Sequence, residues 1–164
     1  MLLELRQLFD NESEHIKLNC DVDLSAVELW GRTPFSSPVH VTGEIANRAG
    51  VVVLDYTATF TIEADCDRCL EHFIRAQQEK YSHVLVRALS GEDRDDFVVV
   101  PDARLELSDL VASDVILTLP VKLLCSEDCK GLCQRCGANL NQSQCSCPTT
   151  EIDPRLAALR QLLD

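Results

Sequence analysis

Residues 51–70 read VVVLDYTATFTIEADCDRCL, and the period of their apolar positions decides the fold. Val52, Leu54, Tyr56, Ala58, Phe60 and Ile62 recur at every second position, facing away from Thr57, Thr59, Thr61 and Glu63. A period of two places one set of side chains on each face of a pleated strand. The alternation stops at Cys66-Asp67-Arg68-Cys69, two cysteines separated by two residues.

The same period extends to both sides. Ile16, Leu18, Cys20 and Val22 alternate with Lys17, Asn19 and Asp21, and Val39, Val41 and Ile45 alternate through Gly43. Asn47-Arg48-Ala49-Gly50 supplies turn residues between that strand and the long one, which predicts an antiparallel hairpin. Phe73 to Val86 reads as a further strand, and Phe97–Val100 as a short one before Pro101. Cys20, on the apolar side of its strand, reads as a small buried hydrophobe rather than a ligand.

Two segments have helical spacing. Leu107, Leu110, Val111, Asp114/Val115 and Leu117/Thr118 predict a helix over 107–117, with Ser108 as N-cap and Pro120 beyond the end. Asp153-Pro154-Arg155-Leu156 begins a short C-terminal helix that presents Leu156, Leu159, Leu162 and Leu163 as one stripe. The expected fold is therefore α+β. An antiparallel, strand-rich body with one helix spans 1–120, a cysteine-rich metal module spans 121–148, and a C-terminal helix spans 149–164. A barrel-like closure would cover the strand edges, but the alternation alone does not establish it.

With 164 residues and 46% hydrophobic content, the chain can bury one ordinary core with a small appended module. No apolar run approaches the roughly 20 residues that cross a bilayer. The N-terminal run MLLELRQLFDNESEHI has neither a sustained hydrophobic centre nor a small-residue cleavage site, so a reducing cytoplasmic setting is expected. The net charge of −12, from 27 acidic and 15 basic residues, opposes broad binding to a phosphate backbone and fits a basic protein partner better. Eight acids lie between Glu92 and Asp114 against Arg94 and Arg104; they are expected to form a solvated loop and helix face. Lys122, Lys130, Arg135, Arg155 and Arg160 are a thin footprint for direct RNA contact.

Six of the nine cysteines fall within CSEDCKGLCQRCGANLNQSQCSC, residues 125–147. Cys133-Gln134-Arg135-Cys136-Gly137 has the form of a zinc knuckle: two thiolates aim at one ion, and the glycine lets the chain turn tightly around it. The other two ligands come from Cys125, Cys129, Cys145 and Cys147, or from the earlier pair. Six thiolates exceed one tetrahedral site, so either two are spare or six share a two-metal cluster; one structural Zn2+ ion is expected. Cys66 and Cys69 are a second half-site, the completion of the first site, or a redox dithiol, although no thioredoxin-like βαβ pattern surrounds them. His72 is read as a surface residue rather than a third ligand. His15, His40 and His83 suggest no site. The sequence contains no nucleophile elbow, phosphate-binding glycine loop, HExxH or paired-carboxylate arrangement, so neither catalytic residues nor a small-molecule substrate is expected.

CDRCL at Cys66–Leu70, the acidic helix ending in LxLP at Leu117–Pro120, the CxxDCxGLCxxCGxNLN run from Cys125 to Asn141, and DPRLAAL at Asp153–Leu159 resemble the YceD family, the large ribosomal RNA subunit accumulation proteins. The resemblance implies a cytosolic bacterial or plastid protein linked to accumulation of large-subunit ribosomal RNA. It also implies frequent encoding beside a small zinc-ribbon protein of the large ribosomal subunit, and members without the C-terminal cysteine cluster, which suits a structural metal. Two functions follow as expectations. One is a non-enzymatic factor in ribosome assembly that meets a ribosomal protein or pre-ribosomal particle through acidic surfaces. The other is a thiol- or zinc-responsive redox regulator using the CxxC pair.

Overall fold

The computed structural model describes residues 1–88 and 97–147. In chain order these form β1 (Leu2–Glu4), α1 (Arg6–Asp10), β2 (His15–Val22), β3 (Val39–Arg48), β4 (Val51–Asp65), β5 (His72–Val86), β6 (Phe97–Val99), β7 (Arg104–Glu106) and α2 (Leu107–Thr118). The C-terminal helix expected over 149–164 lies outside the described residues, as do Arg155, Arg160 and the acids Glu92, Asp93, Asp95 and Asp96. The chain divides into two compact units. The first joins Met1–Ala64 to His72–Leu123; the second joins Asp65–Glu71 to the chain from Leu124.

The first unit is built on a five-stranded sheet in the order β2-β3-β4-β5-β6. β2 and β3 pair antiparallel from His15↔Ala46 to Val22↔Val39, and β3 and β4 from His40↔Thr59 to Arg48↔Val51. β6 departs from the antiparallel expectation and pairs with β5 in parallel, Val84 opposite Phe97. The sheet is open: among the described residues β2 and β6 are edge strands, so no barrel closes. A separate ribbon, missed by the sequence reading, pairs β1 with β7.

The predicted hairpin turn forms between β3 and β4. Ala49 and Gly50 both have positive φ, 54° and 86°, which matches the right-handed strand twist. Asn47, only 5% exposed, serves two masters. Its Oδ1 accepts from Gly50 N–H at 2.9 Å and its Nδ2 donates to the Leu8 carbonyl at 2.7 Å, tying the turn to α1.

Every second residue of β4 from Val52 to Ala64 is buried, as the alternation requires. These side chains share one core with Val39, Val41 and Ile45 of β3, Leu5 and Leu8 near the N-terminus, and Leu107, Val111 and Val115 of α2. Each fully buried aliphatic side chain of this kind contributes about 1.5–3 kcal/mol. Gly43 makes the β3–β4 pairing possible, because a Cβ there would lie 2.2 Å from the Asp55 carbonyl oxygen and 2.6 Å from Tyr56 Cα.

α2 spans the expected residues with two corrections. It starts at Leu107 after Glu106, and Ser108 is not its cap; Ser108 Oγ instead meets the terminal amine of Met1 at 2.8 Å. Its inner face runs through Leu107, Val111 and Val115, while Leu117 is 80% exposed. Asp114 is not a solvated acid either: its side chain is 12% exposed and Oδ2 lies 2.7 Å from His83 Nε2. No helix among the described residues is long and apolar enough to cross a membrane.

Candidate metal centre

Two turns of one design lie in the second unit. In the first, Cys66 N–H donates to the Glu71 carbonyl and Leu70 N–H to the Cys66 carbonyl, both at 2.9 Å. In the second, Cys133 N–H donates to the Ala138 carbonyl at 2.8 Å and Gly137 N–H to the Cys133 carbonyl at 2.9 Å. The residue after the second cysteine is left-handed in each, Leu70 at φ 60° and Gly137 at φ 73°. This backbone closes CxxC into a loop whose amides point at the first sulfur.

Each turn collects two more thiols. Cys66 and Cys69 meet Cys125 and Cys129; Cys133 and Cys136 meet Cys145 and Cys147; within each group all four sulfurs lie within 4.8 Å of one another. Cys66 Sγ is 3.7 Å from Cys129 Sγ, and Cys69 Sγ is 3.6 Å from Cys125 Sγ. A disulfide would need about 2.05 Å. Four sulfurs around one ion at a bond length near 2.3 Å stand about 3.8 Å apart, so the first group has the dimensions of a tetrahedral thiolate site. In place of the single site expected from the sequence, the structure offers two four-thiol groups. The reason is long-range: the β4–β5 connection supplies the half-site that Cys125 and Cys129 lack. Cys125 and Cys129 sit in a turn, Cys129 N–H donating to the Ser126 carbonyl at 3.1 Å, and not on a helical face.

The protonation pattern suits metal binding. Burial opposes ionisation of Cys66, yet the amides of Cys125, Cys69 and Arg68 hold it down to about 6. Amides of Cys136 and Arg135 and the neighbouring thiols pull Cys133 down to about 6. Asn141 and, against burial, the Gly131 amide lower Cys129. Cys69, Cys125, Cys145 and Cys147 are pushed the other way by burial and by neighbouring thiols. The Glu71 amide favours the Cys69 thiolate, but burial and the surrounding thiols push it up to about 12. Cys136 and burial push Cys147 to about 12. Each group thus contains at least one thiol whose anion is supported by backbone amides, Cys66 in the first and Cys133 in the second, and a soft cation would displace the remaining protons.

Three residues that the sequence reading passed over assemble the first group. Arg68 donates from Nη1 to the Cys129 carbonyl at 2.9 Å, and its own carbonyl accepts from Leu132 N–H at 3.0 Å. Gly131, at φ 73°, lets this approach happen, since a Cβ there would stand 3.0 Å from the Arg68 carbonyl oxygen. Asn141 donates from Nδ2 to Cys129 Sγ at 3.2 Å. Gly and Asn flanking a cysteine run were the available signals, but their spacing does not say which sulfur they serve.

The remaining candidates lie elsewhere. Cys20 is half-buried against the core of the first unit and joins neither group. His72 pairs with Glu63 at 3.2 Å and His40 with Asp21 at 2.7 Å. Lys122 belongs to the first unit and Lys130 and Arg135 to the second.

These features define a strand-rich protein with a paired four-thiol module. The chain belongs to the YceD family, described as large ribosomal RNA subunit accumulation proteins, whose model matches residues 54–163. A chloroplastic YCED homolog 1 from Zea mays is 27% identical over 143 residues, covering 68% of this chain and 49% of its own length. YlbN of Bacillus subtilis is 26% identical over 129 residues, covering 77% of this chain and 75% of its own. An uncharacterised Mycobacterium tuberculosis protein is 31% identical over 118 residues, covering 70% of this chain and 56% of its own. The chain thus spans about half the length of the maize relative and three quarters of the Bacillus one. No solved structure matches it.

Proposed function

We propose that this chain is a non-enzymatic factor that supports accumulation of large-subunit ribosomal RNA, acting in the cytoplasm through contact with a basic ribosomal protein. Membership of the YceD family over residues 54–163 carries the reading. The charge of −12 favours a protein partner over a direct grip on RNA. Zinc suits both four-thiol groups, and four protein ligands leave no open coordination position for chemistry, so its role is structural. The test is affinity capture of the tagged protein from cells with and without nuclease. A basic large-subunit protein retained after nuclease is expected; loss of all ribosomal material on digestion would sink the protein-directed version.

A redox reading has one observation in its favour. Cys136 is exposed, its three companions are half-buried, and Cys133 is held at about 6, so an oxidant can reach an anionic sulfur. Metal release with reversible disulfide formation under mild oxidation, accompanied by altered ribosomal RNA levels, would support it. Metal that stays bound would remove it.

A further inference from the structure

The loop that closes the second four-thiol group also reaches back to the first. Asn141 lies between Cys136 and Cys145, two ligands of the second group. Its Nδ2 donates to Cys129 Sγ at 3.2 Å, and Cys129 belongs to the first. Its Oδ1 accepts from Lys130 N–H at 2.7 Å, which fixes the amide so that only its donor side can face the sulfur. Asn141 N–H in turn donates to Asn139 Oδ1 at 2.9 Å. The register behind this loop is set by Leu140 N–H donating to the Gly131 carbonyl at 2.9 Å and by the bridge between Leu132 and Asn139.

A donor aimed at a ligating thiolate disperses its charge and orients it, and losing such a partner costs 10–100-fold in metal affinity. We infer that Asn141 is a positioning residue through which filling of the second four-thiol group strengthens metal binding at the first. When the second group is empty, residues 137–144 keep the backbone bonds Cys133–Ala138 and Leu140–Gly131 but lose the ion that joins Cys136 to Cys145, and Asn141 spends less time on Cys129. When it is filled, the loop is pinned by ligands on both sides and the donor is held in place. By thermodynamic reciprocity, a filled first group strengthens the second by the same factor. The two groups then load together instead of independently.

This rests on the two groups binding zinc, and the test separates the two claims. The full chain is titrated with Zn2+ in a buffered chelator series, and each cysteine's protection from alkylation is read by mass spectrometry, so both groups are followed in one sample. Asn141→Ala and, separately, the double change Cys133→Ser/Cys136→Ser should each shift protection of Cys66, Cys69, Cys125 and Cys129 to about 10–100-fold higher free zinc. Combining them should add nothing, because both remove the same pinned donor. Asn141→Asp keeps the acceptor for Lys130 N–H and loses the donor to sulfur, so it should weaken the first group while leaving the loop anchored.

The inference is overturned if Asn141→Asp leaves the first group's midpoint in place. It is equally overturned if emptying the second group has no effect on the first, or if the two effects add. Absence of zinc protection at all eight thiols in the unaltered chain would overturn the metal reading itself, and the inference with it.

Discussion

The hydroxyl of Tyr56, on β4, donates to Asp114 Oδ2, on α2, across 2.5 Å, and His83 Nε2 on β5 lies 2.7 Å from the same oxygen. One carboxylate therefore joins three elements of the first unit. Burial, then the bond to Asp114 and its charge, raises the Tyr56 phenol far above its ordinary value near 10. The proton is thus bound more tightly in the folded chain than in the unfolded one. Its stabilising effect is whole below pH 10 and declines as pH rises beyond it. Tyr56→Phe should cost about 1.5–3 kcal/mol at neutral pH by removing one of the two polar partners of the Asp114 carboxylate, and should flatten the loss of stability above pH 10. Urea unfolding across pH 7–11 measures both; an unchanged alkaline slope would exclude Tyr56 as its source.

Asn47→Ala should leave the Leu8 carbonyl and the Gly50 N–H without their partners and destabilise the first unit by about 1–3 kcal/mol. Because one bond closes the turn and the other anchors α1, amide exchange should accelerate both at residues 47–51 and at 5–10. Faster exchange at the turn alone would mean that α1 holds without Asn47.

The two CxxC turns differ where their backbone is left-handed. A side chain in that conformation costs about 1–2 kcal/mol, which Gly137 avoids and Leu70 does not. Leu70 is 64% exposed, so little burial offsets the strain. Leu70→Gly should strengthen zinc retention by the first group and Gly137→Leu should weaken retention by the second, each by about 3–10-fold after the entropy of the unfolded glycine is counted. Competition with a chromophoric chelator reads both; equal retention in both variants would show that the turns carry no strain.

Removing metal under reducing conditions should loosen the second unit while the sheet of the first persists. Hydrogen exchange is expected to become fast over 65–71 and 124–147 and to stay slow over 39–62, with all eight clustered thiols becoming reactive. Simultaneous melting of the sheet would show that it has no independent stability.

Period-two alternation made β2, β3, β4 and the turn at Ala49-Gly50 legible, because a half-buried strand writes its burial directly into consecutive residues. The first helix and β1 were not legible: Leu2, Leu3, Leu5 and Leu8 are too few to display a period, and β1 finds its partner β7 about a hundred residues away. The knuckle at Cys133 and Cys136 carries its own signature in a following glycine. The partition of the other thiols does not, since which half-sites meet depends on where β4 and β5 bring the chain. Leu117 and Asp114 show the same limit within one helix: spacing suggested an apolar stripe and a solvated acid, and the packing of α2 reversed both.

The two four-thiol groups differ in how much chain they enclose. Cys69 and Cys125 stand 56 positions apart, whereas Cys136 and Cys145 bracket a short loop. A crosslink across the longer span removes about 4 kcal/mol of freedom from the unfolded chain by loop-closure arithmetic, against about 3 kcal/mol for the shorter. The longer span contains β5, β6, β7 and α2. An ion in the first group would therefore work as a topological clasp on the chain that carries β5, β6, β7 and α2, and part of its effect would be exerted where no structure exists, in the conformations it denies the unfolded polymer.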